Sequence, residues 1–280
     1  MPNIAAMAPR ARRLQTAAAL GLGLGLVSAP FVGPRAAPTA VDLAVVLAVD
    51  ISHSMDEVEQ RLQREGYAAA FRDPAVVAAI RGGLLGRIAV SYVEWSTRYF
   101  QLVVVPWTIV DTETSAAAFA AELLAEPTNR GLETSISGGL LFAAAHFGRS
   151  GVSATRRVID VSGDGPNDSG VPVEAARDRV VAEGITINGL PILLPAPHVR
   201  DPFTLADLDA YFHDCVVGGP RSFTVTVGGA DQFAEAIRRK LILEIADAGP
   251  AEPASRFSRA AATDCMIGEK RRAAAETLLR

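Results

Sequence analysis

The sequence predicts a three-layer α/β/α fold, doubly wound, around a mostly parallel sheet with one antiparallel edge strand. Three observations carry that reading. Val41–Val49 is a continuous apolar run (VDLAVVLAV), the pattern of a strand buried on both faces of a parallel sheet. Beyond it, short β-branched runs alternate with amphipathic stretches of helical spacing, which is how βαβ units read in one dimension. The runs Arg87–Trp95 and Phe100–Pro106 are separated by four residues that include the polar Ser96-Thr97-Arg98, too short for a crossover helix, so they read as a hairpin that supplies the antiparallel strand.

The elements follow in order. After the first strand, Met55–Phe71 carries Val58, Leu62, Tyr67 and Phe71 at helical spacing. Past the hairpin, Thr114–Ala125 is a helix with Asp111 or Thr112 as its cap. Ser135–Phe147 is another, ended by Gly148. Arg156–Val161 reads as a strand, Pro172–Glu183 as a helix and Ile185–Leu190 as a strand. Leu205–Phe212 is a short helix, Ser222–Val227 a strand and Asp231–Ala246 a long final helix. The segment from Gly249, rich in Ala, Pro and Ser, reads as irregular, and Gly268–Leu279 as a short surface helix.

Composition sets the outer bounds. The 280 residues suffice for one large α/β domain, and 49% hydrophobic with 21% charged residues is ordinary for a globular protein. The net charge of −4 is unevenly spread. Residues 1–40 hold Arg10, Arg12, Arg13 and Arg35 and no acid, leaving 23 basic against 31 acidic residues in the remainder. An acidic body argues against nucleic acid or an anionic membrane surface as the partner, since both reward clustered Lys and Arg. Within residues 1–40, Arg10–Arg13 precede an apolar, glycine-rich run from Ala17 to Ala29, the order of a secretory signal. The Arg12-Arg13 pair also permits a twin-arginine route. An uncleaved N-terminal anchor is the competing reading, although the run is shorter than the roughly 18–20 residues a spanning helix needs. The expected organisation is therefore a signal peptide or anchor over 1–40, a domain over 41–247 and a tail over 248–280, with the mature protein periplasmic or secreted. Two cysteines, Cys215 and Cys265, allow one disulfide in an exported chain or two independent thiols.

In open α/β sheets ligands bind beyond the carboxyl ends of the strands, which directs attention to the segments after Val49, around Gly131–Ser137 and after Val161. Asp50-Ile51-Ser52-His53-Ser54 sets one carboxylate and two hydroxyls at alternate positions on a strand-to-helix turn. Such hard oxygens suit Mg2+, Mn2+ or Ca2+. Read alone, the same residues could instead cap a helix and satisfy turn amides. Thr134 lies in the loop entering the Ser135 helix, and Asp164 lies between glycines in Ser162-Gly163-Asp164-Gly165.

Taken together, Asp50-x-Ser52-x-Ser54, Thr134 and Ser162-Gly163-Asp164-Gly165 resemble the metal-ion-dependent adhesion site (MIDAS) of von Willebrand factor A domains, over about residues 41–247. Within that superfamily the chain is similar to a bacterial exported group, the DUF1194-like proteins, through Val93-Glu94-Trp95-Ser96, Gly163-Asp164-Gly165-Pro166-Asn167 and Asp214-Cys215-Val216-Val217-Gly218-Gly219-Pro220. The resemblance implies the Rossmann-like fold of A domains and one divalent cation, Mg2+ before Mn2+ or Ca2+, held by Asp50, Ser52, Ser54, Thr134 and Asp164. It implies a protein partner that offers an acidic side chain to that cation, and a binding role rather than an enzymatic one. Two departures from the usual pattern stand out: Glu133 adds an acid before Thr134, and Gly163 stands where Thr or Ser is usual.

Other readings remain beside this one. A metal-dependent hydrolase or phosphotransferase would use Asp50 as nucleophile, but the position two residues on is Ser52 rather than a second acid. No G-x-S-x-G elbow occurs, and His53, His146, His198 and His213 show no paired spacing. A structural scaffold would enclose its cation fully, whereas a binding site must leave one coordination position open. Asp160, inside a strand, reads as structural, and Asp168, in Pro166-Asn167-Asp168-Ser169-Gly170, as a turn residue.

Overall fold

The computed structural model describes residues 37–194, 205–247 and 263–278. Five strands form one sheet in the order β3-β2-β1-β4-β5. Strand β1 (Thr39–Asp50) is central and pairs in parallel with both β2 (Ile88–Trp95) and β4 (Val152–Gly163). Strand β5 (Thr186–Pro191) pairs in parallel with β4, and β3 (Gln101–Val110) runs antiparallel along the β2 edge. The architecture is thus the expected three-layer α/β arrangement with one antiparallel edge strand.

Helices cover both faces. On one face α1 (Glu57–Arg72), α2 (Pro74–Arg81), α3 (Glu113–Ala125) and α7 (Phe233–Ile245) enclose a core containing Leu43, Val45, Leu47, Tyr67, Phe71, Phe119, Ile237 and Leu241. On the other, α4 (Ile136–His146), α5 (Val173–Ala182) and the short α6 (Leu208–Tyr211) enclose Ala44, Val46, Ala48, Trp95, Leu140, Ile187 and Phe212. Successive β1 side chains therefore feed alternate cores, which explains why its sequence is continuously apolar rather than alternating. Truncating a core side chain such as Leu47 costs about 2–5 kcal/mol.

Local chemistry sets the ends of these helices. Asp56 caps α1, accepting from the Val58 and Glu59 amides at 2.7 and 2.8 Å, while the Asp56 amide donates to the Glu59 carboxylate in return. This reciprocal box satisfies amides that the helix itself leaves open. It also frees Asp50 from the capping role that the sequence allowed it. Thr112 caps α3 and Ser135 caps α4.

Several segments differ from the sequence reading. Helix α2 was not anticipated, although Asp73 caps it and Pro74 occupies its first turn, a favoured combination. Strand β4 begins at Val152 rather than Arg156, because its first residues alternate between partly buried and exposed and pair with Thr39–Val41. β1 itself starts at Thr39, two residues before the expected run. Helix α4 ends at His146, and Gly148 lies within a following 3-10 turn, Phe147–Arg149. Ser222–Val227 is not a strand: its backbone pairs with the β5 side as the isolated bridges Gly189↔Thr224 and Ile192↔Val227 rather than as a ladder. Pro191 has no N–H for a regular ladder, and Asn188 Oδ1 takes the Phe223 amide at 3.1 Å. α6 is four residues long and continues as a π-helical turn, Phe212–Val216. Most of the proposed targeting segment (1–36), His198 and most of the irregular segment from Gly249 lie outside the described residues.

Cys215 and Cys265 form a disulfide with Cα atoms 5.5 Å apart, choosing between the two readings the sequence left open. Beyond it, α8 (Ile267–Leu278) is the expected C-terminal helix.

Asp160 has a structural role. It faces Lys240 of α7, which also pairs with Glu244, and all three side chains are buried. Asn188 Nδ2 donates to Glu244 at 3.1 Å. Burial, and then the Asp160 charge, push Glu244 up to about 7, against the opposing pull of Lys240. An acid raised in this way binds more protons folded than unfolded, so its contribution to stability falls as pH rises from its ordinary 4.5 towards 7. Replacing Glu244 by Gln should therefore flatten the fall in unfolding free energy over this interval, as read by urea titrations at several pH values. A Glu244→Gln slope equal to the wild-type slope would remove Glu244 from this account.

Candidate metal centre

The register of the sheet places the candidate residues. Asp50 ends β1 opposite Trp95 of β2, and the preceding Val49 lies opposite Ser162 of β4. Because β1 and β4 run in the same direction, the turn after Asp50 and the loop after Gly163 leave the sheet side by side. The loop before α4 is stitched to the same edge: Gly131 N–H donates to Ile51 O at 2.7 Å, Ser135 N–H to Ser96 O at 2.8 Å and the Ser96 hydroxyl to Glu133 O at 2.8 Å.

Asp50 is fully buried. Its Oδ1 accepts the Ser52 amide at 2.7 Å, while its Oδ2 is buried without a hydrogen-bond partner. From Ser52 a chain of side chains runs outward. The Ser52 and Ser54 hydroxyls lie 3.1 Å apart, and the Ser54 hydroxyl donates to Asp164 Oδ1 at 2.7 Å. Thr134 joins the Asp164 loop by a two-way clasp, its amide donating to Asp168 Oδ1 at 3.0 Å and its carbonyl accepting the Asp168 amide at 2.8 Å. The Thr134 hydroxyl is 3.9 Å from where a Cβ on Gly165 would stand. All five candidate positions, Asp50, Ser52, Ser54, Thr134 and Asp164, thus gather at one place on the sheet's carboxyl edge.

Gly163 explains one departure from the common motif. A Cβ there would come within 2.9 Å of Asp50 Oδ2, too close for any larger residue without moving the carboxylate. Burial, and then the nearby Asp164 charge, hold the Asp50 carboxyl well above its ordinary range. Two acids and a buried oxygen without a partner are costly unless a proton or a cation compensates them. The donor set, two carboxylates and three hydroxyls, is hard-oxygen chemistry that fits Mg2+, Mn2+ or Ca2+ rather than a soft metal. Among the described residues no cluster of three or more His, Cys, Asp and Glu side chains gathers in the manner of a metal site; the set here is rich in hydroxyls instead.

The family model described as "Protein of unknown function (DUF1194)" matches residues 40–249. The chain belongs to this family. Comparison with curated protein sequences returns no match. Among solved structures, this DUF1194 chain is similar to proximal thread matrix protein 1 of the mussel byssus, with a TM-score of 0.52 and 14% identity over 75% of this chain and 49% of that one. It is similar to the pilus adhesin SpaC of Lactobacillus rhamnosus GG, with a TM-score of 0.50 and 14% identity over 74% of this chain and 30% of that one. A von Willebrand factor type A structure from Catenulispora acidiphila gives 0.49 and 16%, over 74% and 43%. The chain spans about half the length of the mussel protein and less of the other two. At these identities the likeness is one of fold alone.

Two histidines have partners outside the candidate set. His53 is exposed, with the Arg130 guanidinium 3.5 Å from its Nδ1. His146 is buried against Ser91 at 3.0 Å and stacks on Trp107, and burial lowers its pKa. Sequence reasoning missed three supports of the site. Gln63 of α1 donates to the Ser162 hydroxyl at 2.5 Å. Asn167 accepts the Ser137 amide at 2.9 Å. Asp168 is more than a turn residue, since it fixes Thr134. Asn167 lay in a motif already singled out, whereas Gln63 sits mid-helix with no local signal.

Asp50→Asn keeps an acceptor for the Ser52 amide and removes the buried charge. In metal-stripped protein near neutral or alkaline pH this variant should melt at or above the wild-type temperature, measured by differential scanning calorimetry. A large loss of stability would mean that the Asp50 charge is already compensated within the protein.

Proposed function

We propose that this DUF1194 chain is an exported binding domain that holds a partner protein through one divalent cation at a MIDAS-like site. The observation that carries the reading is the gathering of Asp50, Ser52, Ser54, Thr134 and Asp164 around a fully buried carboxylate with one oxygen lacking a partner. Mg2+ is the favoured ion, with Mn2+ or Ca2+ as alternatives, because the donors are all hard oxygens. Asp50 and Asp164 would supply the charge, and the three hydroxyls would orient around it. A bound dication supplies an electrophilic position able to take up a carboxylate from outside. Asp50 and Ser52 are fully buried while Ser54 and Asp164 remain partly exposed, so the candidate centre opens to solvent on one side. That asymmetry favours a partner-binding site over a scaffold with an enclosed cation.

A binding role is preferred to hydrolysis or phosphotransfer by Asp50. Asp50 is pinned by the Ser52 amide and packed against Gly163, with little room for in-line attack on a substrate. Export is supported by the basic-then-apolar order of residues 10–29. No helix among the described residues is long and apolar enough to cross a membrane.

The test is the thermal stability of the metal-stripped full chain with added Mg2+, Mn2+ or Ca2+. A site-bound ion at a hundredfold excess over its Kd should stabilise the fold by about 2.7 kcal/mol, raising Tm by several degrees. Asp50→Asn and Asp164→Ala should lose that shift while remaining folded. Equal shifts in wild type and both variants would place the ion elsewhere and defeat the proposal.

A further inference from the structure

The C-terminal helix reaches the candidate centre from outside the strand-and-loop framework. The Cys215–Cys265 disulfide anchors the chain just before α8, and the first turn of α8 is seated on the Asp164–Asp168 loop. A Cβ on Gly268 would fall 2.1 Å from Asn167 O, so only glycine permits this approach. Asn167 Nδ2 donates to Glu269 Oε1 at 2.7 Å. One turn on, Arg272 bridges two acids from two different site loops: Nη2 meets Glu133 Oε1, and Nη1 lies 3.5 Å from Asp168 Oδ1. Its Nε also meets Glu276 at 3.2 Å within α8.

Those two acids are the ones that matter for a partner. Glu133 directly precedes Thr134, and Asp168 holds the Thr134 amide. The carboxylates of Asp50 and Asp164 already balance the charge of a dication. Two further negative charges beside Thr134 would repel an incoming carboxylate. We propose, building on the reading above, that Arg272 is a positioning residue for the partner: carried by the disulfide-tethered α8, it offsets part of the negative charge of Glu133 and Asp168, and so favours an acidic ligand at the site. This gives the additional acid at Glu133 a role as the anchor for Arg272.

The charge argument predicts opposite effects on metal and ligand. Full-length wild type, Arg272→Gln, Arg272→Lys and Arg272→Gln/Glu133→Gln are titrated by calorimetry with Mn2+ alone. Each is then saturated with Mn2+ and titrated with the peptide acetyl-Gly-Glu-Gly-amide. Arg272→Gln should hold or gain Mn2+ affinity, because negative charge near the ion rises. It should lose peptide affinity by roughly three- to tenfold, the scale of one unit charge acting over several ångströms of hydrated protein. Arg272→Lys should retain most of the binding, and adding Glu133→Gln to Arg272→Gln should restore much of what is lost. Parallel loss of Mn2+ and peptide would make α8 merely structural and overturn the proposal. So would unchanged peptide affinity, or tighter peptide binding without Arg272, which would make it a block. Absence of Mn2+ binding by wild type would instead defeat the metal-site reading itself, and Mn2+ binding without peptide binding would defeat the acidic-partner reading and this inference with it.

Discussion

A carboxylate buried at the end of the central strand constrains everything at the sheet's carboxyl edge. Asp50 occupies the one position where β1 leaves the core, with both neighbouring parallel strands alongside it. Its burial follows from the fold, because a strand flanked on both sides and covered on both faces shields its end from water except through the outer side of the loops. One oxygen is satisfied by the backbone turn it caps, and the other is left without a donor. The neighbouring parts can be read as responses to that fact. Gly163 makes room for the orphaned oxygen, Ser52 and Ser54 lead outward from it, and Asp164 closes the chain at the solvent side.

The same sheet contains a second buried acid that has been handled differently. Asp160 lies four residues before Asp164 on β4, under α7, and faces the ammonium group of Lys240, which Glu244 shares. There the compensation is internal, by a lysine whose long chain crosses the core, and the cluster ties α7 to the centre of the sheet. At Asp50, among the described residues, no basic side chain contributes to the carboxylate's surroundings. Removing one member of an internally paired set leaves an uncompensated buried charge, so such groups tend to act as structural ties. An acid without an internal partner is instead a place where an ion from solution can bind with gain. The contrast between the two levels of one sheet is the physical basis for treating the Asp50 edge as functional and the Asp160 cluster as architectural.

Position along the chain governs which parts of this could be read in one dimension. The order of strands and helices was legible because parallel-sheet strands and covering helices have different hydrophobic periods, and β1 shows the buried-strand pattern plainly. The candidate site was legible because its residues are local to three short motifs, each just after a strand or just before a helix. What failed was where local pattern and tertiary pairing disagree. Ser222–Val227 has the residues of a strand, yet Asn188 and Pro191 divert its hydrogen bonds. The start of β4 looks polar enough for a loop, but pairing with Thr39–Val41 makes it a strand. Helix α2 was missed although its Asp-Pro start was visible.

By itself, then, the sequence determined the fold class, the strand that carries the acid and the candidate residues that gather beside it, since each depends on residues close together in the chain. Tertiary structure alone decided that Cys215 and Cys265 are joined, that Lys240 answers Asp160, that Gln63 reaches Ser162, and that Arg272 lies across Glu133 and Asp168. These contacts join groups 50, 80, 99, 139 and 104 positions apart in the chain. No local period or motif encodes such a meeting; it exists only once packing has fixed which surfaces face one another.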